Sequence, residues 1–164
     1  MEGSAPILIA YDGSPSADHA IREAGGLLAG RRALVVVVYQ QGIGFELEEL
    51  PSVTIAAPPA PLDIRMALDV DQELAERSQM VAAHGADLAR EAGFEEEALA
   101  VADDADMPVA ETIVTVAREQ SAAAIVVGAH GHSRLSEVVL GSTSRDVIRR
   151  APCPVVVARP MPER

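Results

Sequence analysis

Ala33-Leu34-Val35-Val36-Val37-Val38-Tyr39 runs without a charged residue on either parity, bracketed by Arg31-Arg32 before it and Gln40-Gln41 after it. A strand with one wet face would alternate apolar and polar side chains. Continuous β-branched character is what a strand covered on both faces requires, so this stretch is expected at the centre of a sheet with helices on each side.

The chain reads outward from there as strands alternating with helices. Upstream, Pro6 to Tyr11 (PILIAY) is a short apolar run that stops at Asp12-Gly13-Ser14-Pro15. That is a strand followed by a helix start, with Ser14 as cap and Pro15 in the first turn, and the helix is expected over Ser16 to Ala29. Downstream, residues 40–65 are rich in Gly, Glu and Pro, with Pro58, Pro59 and Pro61 close together, and are expected as an irregular insertion bordering the ligand side. From Met66 to Ala92, Val70, Leu74, Val81 and Leu88 mark an amphipathic helix that Gly93 closes. Ala98 to Val101 is a weak strand candidate, and Val109, Ile113, Val116 and Ala117 form another helical stripe. Ala122 to Val127 (AAAIVV) is the fourth strand, ending on Gly128; 129–141 is a loop, Ser142 to Arg150 a short helix, and Pro154 to Ala158 (PVVVA) the fifth strand.

This pattern predicts an α/β fold: a doubly wound, five-stranded parallel sheet in the order 3-2-1-4-5, connected by right-handed crossovers. Ligands of such sheets sit beyond the C-terminal strand ends where the strand order reverses, here between the first and fourth strands. Asp12 and the loop that starts at Gly128 should bound that crevice.

Composition narrows the function. A length of 164 residues is read as one domain, 1–164. Apolar residues make up 49% of the chain and aromatics 2%, so the core must come from Val, Ile, Leu and Ala. All thirteen basic residues are Arg, and twenty-five acids bring the formal charge to -12. That sign opposes binding to a nucleic-acid backbone or an anionic membrane. No apolar run approaches the roughly 20 residues of a spanning helix, and Met1-Glu2-Gly3-Ser4 lacks a signal-like pattern, so a cytoplasmic protein is expected. Cys153 is the single cysteine and has no internal disulfide partner.

The chemistry concentrates in Gly128-Ala129-His130-Gly131, nine further residues, then Gly141-Ser142. Glycine lets the backbone pass close to a ribose or phosphate and permits positive φ, so that amides can turn toward an anion. Gly141-Ser142-Thr143-Ser144 then opens a helix whose first N–H groups favour phosphate. A P-loop is excluded because the chain has no lysine, and Asp12-Gly13-Ser14-Pro15 is not the dinucleotide fingerprint. Charge neutralisation is left to backbone amides, Arg134 and a divalent ion.

The G-x2-G-x9-G-[ST] spacing of Gly128, Gly131, Gly141 and Ser142 resembles the nucleotide signature of the universal stress protein family, in its ATP-binding subclass. Ile7 to Ser14 (ILIAYDGS), Ala122 to Ser133 and Ala151 to Ala158 (APCPVVVA) are similar to that family's opening strand, fourth strand with loop, and closing segment. The resemblance implies a Rossmann-like fold that binds an adenine nucleotide, ATP for preference, with Mg²⁺ or Mn²⁺. It implies that Ala10, Asp12 and Val38 frame the adenine and ribose, that Gly128 approaches the ribose, and that Gly131, Gly141, Ser142 and Thr143 hold the phosphates. His130, His132 and Arg134 belong to the same ligand-facing set; His132 stands where the family often has Arg, and Arg134 where it often has Gly. It also implies a homodimer through the strand Pro154 to Ala158.

Plainer readings stand beside these. Asp12 also suits a helix cap, and the glycine loop a simple turn. His130-x-His132 lacks a third ligand for zinc, and Asp103, Asp104 and Asp106 read as a solvated acidic turn. Cys153 reads as a small buried residue, and the edge strand as covered by the tail Arg159 to Arg164. Three functions follow: regulatory nucleotide binding in a stress or signalling protein, slow ATP hydrolysis or self-phosphorylation, and a nucleotide-free interaction module.

Overall fold

The computed structural model describes residues 5–41, 61–104, 107–129 and 140–159. Five strands alternate with helices: β1 (Ile7–Ala10), α1 (Pro15–Leu28), β2 (Arg32–Gln41), α2 (Pro61–Glu91), β3 (Glu95–Asp104), α3 (Val109–Glu119), β4 (Ala124–Gly128), α4 (Ser142–Arg150) and β5 (Val155–Ala158). The strands form one sheet in the order β3-β2-β1-β4-β5, every pair parallel, as the sequence pattern requires.

Strand parity divides the core into two layers. Ile7, Ile9, Val35, Val37 and Val126 turn to the face covered by α1 and α2, where they meet Ala17, Ala20, Ile21, Ala24 and Leu88. Leu8, Leu34, Val36, Ile125 and Val127 turn to the other face, against Ile113, Val116, Ala117 and Val147 of α3 and α4. Each fully buried aliphatic side chain stabilises the fold by roughly 1.5–3 kcal/mol. A register slip of one residue would exchange the two layers wholesale, so the pairing Ile7↔Ala33 and Ile7↔Ala124 is held by packing on both sides at once.

Three expectations need correction. The strand candidate at Ala98 to Val101 is the middle of a ten-residue strand, β3, paired with β2 from Arg32↔Glu95 to Gln41↔Asp104. Its Glu95-Glu96-Glu97 start hid it, because an edge strand tolerates charge where a central strand does not. Glu97 pairs with Arg32 at 2.5 Å and Glu96 with Arg90 at 3.0 Å. Asp103 and Asp104 are therefore strand residues and not part of a turn; Asp106 lies outside the described residues. The irregular insertion expected over 40–65 overlaps β2 and α2 at its ends, since β2 runs through Gln41 and α2 starts at Pro61; residues 42–60 lie outside the described residues.

Small residues set how closely the helices approach. A Cβ on Gly25 of α1 would lie 2.5 Å from the Ala92 carbonyl oxygen, and one on Gly85 of α2 would lie 2.7 Å from the Tyr11 ring. Gly26, its neighbour, has nothing within 4 Å of the same position. Gly26→Ala should therefore stabilise the protein by up to about 1 kcal/mol, the usual gain in helix propensity. Gly25→Ala should destabilise it by about 1–3 kcal/mol through overpacking against a backbone atom. Urea unfolding of the two variants should show midpoints displaced in opposite directions.

Candidate functional site

β1 and β4 run side by side only from Ile7↔Ala124 to Ile9↔Val126. Beyond that point they part. The Tyr11 N–H donates to the Val36 carbonyl at 2.9 Å, so β1 stays on the β2 ladder to its end, while β4 continues beside β5 to Gly128↔Ala158. The separation opens a cleft of about 460 Å³ at the C-terminal strand ends, where the strand order reverses.

One wall is apolar. Ala10, Val36 and Val38 line it from β1 and β2, Val109 and Ile113 from the first turns of α3, and Val127 from β4. The opposite wall is polar and comes from Gly141, Ser142, Thr143 and Ser144 at the start of α4. Gly141 occupies the helix N-cap, with φ -58 and ψ 153, and supplies no side-chain cap. The first-turn N–H groups are those a helix leaves without intrahelical partners, and they carry the positive end of its dipole.

Asp12 stands at the mouth, exposed, with one carboxylate oxygen accepting the Ser14 N–H at 2.9 Å. Gly13 takes φ +75 to complete this turn, and Ser14, almost fully buried, accepts the Ala17 N–H at 3.2 Å. Asp12 thus shapes the entry to α1, the plainer of its two roles, and it also lines the cleft. Among the described lining residues it is the charged one. Tyr11 donates its hydroxyl to Asp18 at 2.5 Å; burial and that bond hold its phenol protonated well above the ordinary tyrosine range. Its ring lies 6.4 Å from that of His84, tying the end of β1 to α2.

Two of the signature glycines, Gly128 and Gly141, fall within the described residues. Neither Gly128 nor Gly141 has positive φ. Gly128 is needed because a Cβ there would lie 2.8 Å from Ser16 Oγ and 3.1 Å from the Ser16 carbonyl oxygen, in the first turn of α1. The base of the loop is closed by the Gly141 N–H to the Ala129 carbonyl at 2.9 Å and by Ser144 Oγ–H to the Gly128 carbonyl at 2.8 Å.

Seven of the residues singled out from sequence meet at this cleft: Ala10, Asp12, Val38, Gly128, Gly141, Ser142 and Thr143. His130, Gly131, His132 and Arg134 lie outside the described residues. Sequence reading did not assign Tyr11, Ala17, Val36 or Val127 to the site, counted Ser144 only as one of the hydroxyls that open the helix, and took Val109 and Ile113 for core alone. Their signal was available in principle, because the first turn of the helix after β3 must overlie the same strand ends. Cys153 is half-buried and burial pushes its thiol up, as suits a packing residue. No helix among the described residues is long and apolar enough to cross a membrane.

Residues 47–159 match the family model described as the universal stress protein family. The chain belongs to the universal stress protein family. A universal stress protein of Mycobacterium tuberculosis is 30% identical over 162 residues, which cover 94% of this chain and 45% of the relative, and one of Mycobacterium bovis matches equally. The chain thus spans less than half the length of these relatives. Among solved structures, the universal stress protein UspA of Lactobacillus plantarum superimposes with a TM-score of 0.68 at 20% identity, over 97% of this chain and 100% of that one. A universal stress protein in complex with cAMP gives 0.60 at 19% identity over 96% and 98% of the two chains. One from Archaeoglobus fulgidus in complex with dAMP gives 0.56 at 24% over 93% and 95%.

In this universal stress protein, Gly128→Ala should cost about 1–3 kcal/mol of stability before any ligand is considered, since the added methyl meets α1. Truncating the partner in Gly128→Ala/Ser16→Ala should recover only part of it, because the Ser16 carbonyl remains at 3.1 Å from the added methyl. Thermal unfolding of the single and double variants without ligand measures both.

Proposed function

We propose that the cleft binds an adenine nucleotide, ATP for preference, and that the protein acts in stress response or signalling through occupancy of that site. The observation that carries this reading is the junction of the apolar wall of Val36, Val38, Val109 and Ile113 with the uncapped first turn of α4 in one cleft. The apolar wall suits a purine ring, and the free N–H groups and hydroxyls of Ser142 and Thr143 suit phosphate. The cAMP and dAMP complexes of structural relatives support the choice of adenine. In this reading Asp12 reaches the ribose, and His130, Gly131, His132 and Arg134 complete the phosphate side.

Among the described residues no three His, Cys, Asp or Glu side chains come together as a metal site. Mg²⁺ or Mn²⁺ would accordingly arrive on the triphosphate, which supplies most of its oxygens and needs few from protein. Regulatory binding is preferred to turnover because phosphoryl transfer also needs a positioned water or acceptor group, and Asp12 is the one carboxylate among the described lining residues. A cytoplasmic setting accords with a lone cysteine and an acidic, water-exposed surface.

Ligand that binds only the folded state raises apparent stability, by about 2.7 kcal/mol at a hundredfold excess over Kd. Mg·ATP should therefore raise the melting temperature of the wild type, and Val109→Asp, which places a charge on the purine wall at a partly buried position in the first turn of α3, should abolish that rise. An unchanged melting temperature with Mg·ATP, AMP and cAMP alike would refute the nucleotide reading.

The same family reading makes the protein a homodimer through Pro154 to Ala158. β5 is an edge of the sheet, and Val155, Val156 and Val157 are only half covered. Pro154 and Ala158 give their carbonyls to Ile125 and Ala129, so the backbone groups of Val155 and Val157 point away from β4. Val157→Pro should remove an outward amide while leaving the β4 ladder whole. Sedimentation should show wild-type dimers of about 34 kDa, twice 17.2 kDa, and monomers for the variant.

A further inference from the structure

Where β1 and β4 separate, a carbonyl loses its neighbour. The β1–β4 pairing stops at Ile9↔Val126, so nothing in β1 stands level with Gly128 to continue the ladder on that side. The Gly128 carbonyl is instead taken by Ser144 Oγ–H at 2.8 Å. Ser144 is 7% exposed and sits in the first turn of α4, within the wall of the cleft. It is a side chain from the helix doing what the absent strand would have done.

That bond has a geometric consequence. Gly141, Ser142 and Thr143 precede Ser144 directly, so fixing Ser144 to the end of β4 fixes the whole uncapped turn against the strand that carries Gly128. A second tie, from the Gly141 N–H to the Ala129 carbonyl at 2.9 Å, restrains the start of that turn but not its rotation about the helix axis. Two attachments one turn apart define an orientation; one does not. Ser16 closes the other side of Gly128, so the strand end cannot follow α4 if the helix shifts.

We propose that Ser144 is a positioning residue for the phosphate of a bound nucleotide: it acts through Gly128 to aim the first turn of α4 into the cleft, and it makes no contact with the base. The inference rests on the nucleotide reading above and adds a residue, a mechanism and a selectivity to it. The hydroxyl is what matters, because a methyl of the same size packs equally well yet cannot donate to the Gly128 carbonyl.

The test compares wild type, Ser144→Ala and Ser144→Thr by titration calorimetry with Mg·ATP, AMP and adenosine. Hydrogen exchange of residues 140–146 is followed in the unliganded proteins. Ser144→Ala should weaken Mg·ATP about tenfold and AMP somewhat less, while adenosine affinity changes less than about twofold; a tenfold change corresponds to one misdirected hydrogen-bonding turn. Exchange in the first turn of α4 should speed up, and Ser144→Thr, which keeps the hydroxyl, should restore both toward wild type. Equal weakening of ATP and adenosine, or unchanged ATP affinity in Ser144→Ala, would overturn the inference while leaving nucleotide binding intact. A wild type that binds none of the three ligands would overturn the nucleotide reading and this role together, and the exchange data would still report whether the hydroxyl holds the turn.

Discussion

Two parallel strands that start together and then separate create the feature on which the rest of this molecule depends. β1 and β4 share a ladder only from Ile7↔Ala124 to Ile9↔Val126, after which β1 keeps its β2 partner and β4 its β5 partner. Backbone polar groups exposed by that divergence must find partners, because orphaned donors and acceptors near a core are costly. Ser144 takes the Gly128 carbonyl at the end of β4, and Asp12 takes the Ser14 N–H where the chain leaves β1 to enter α1. The walls of the cleft are therefore built by the same bonds that repair the split in the sheet.

This explains why small and hydroxylated residues gather at the site. Gly128 is confined by Ser16 and has no room for a side chain, so the strand end and the first turn of α1 touch. Serines at 14 and 144 are buried, yet each hydroxyl serves a backbone group of its own helix entry or of the neighbouring strand. Such residues look like ligand contacts in a sequence, and here their hydroxyls hold backbone groups in place. Both readings fall on the same residues because the ligand side of a doubly wound sheet is also where every helix begins.

The charge distribution fits the same plan. Residues 1–120 hold 22 of the 25 acids, so the excess negative charge sits mainly with the β1 to α3 part of the chain; residues 121–164, carrying α4 and β5, hold three acids and six arginines. The helix that opens onto the cleft, α4, itself carries Arg145, Arg149 and Arg150 against one acid, Asp146. The exposed ion pairs, such as Arg150 with Glu111 at 3.2 Å, contribute little individually and trim the surface more than they hold the fold.

The sequence by itself determined the sheet order, both core faces and the place of the cleft. Apolar runs such as ALVVVVY leave no freedom about burial, and alternation of strand and helix leaves little about topology. Gly128, Gly141, Ser142 and Thr143 were legible because glycine and hydroxyl spacing is a local property, and Asp12 because it ends a strand at the point where the order reverses; Ala10 and Val38 came from the family resemblance. Only the tertiary structure decided the full length of β3, since its glutamates are tolerated at an edge that sequence does not reveal. It also decided that Val109 and Ile113 face a cleft as well as a core, and that Ser144 is bonded to Gly128. Those facts depend on which strand end a helix start meets, a distance across the sheet that no spacing along the chain encodes.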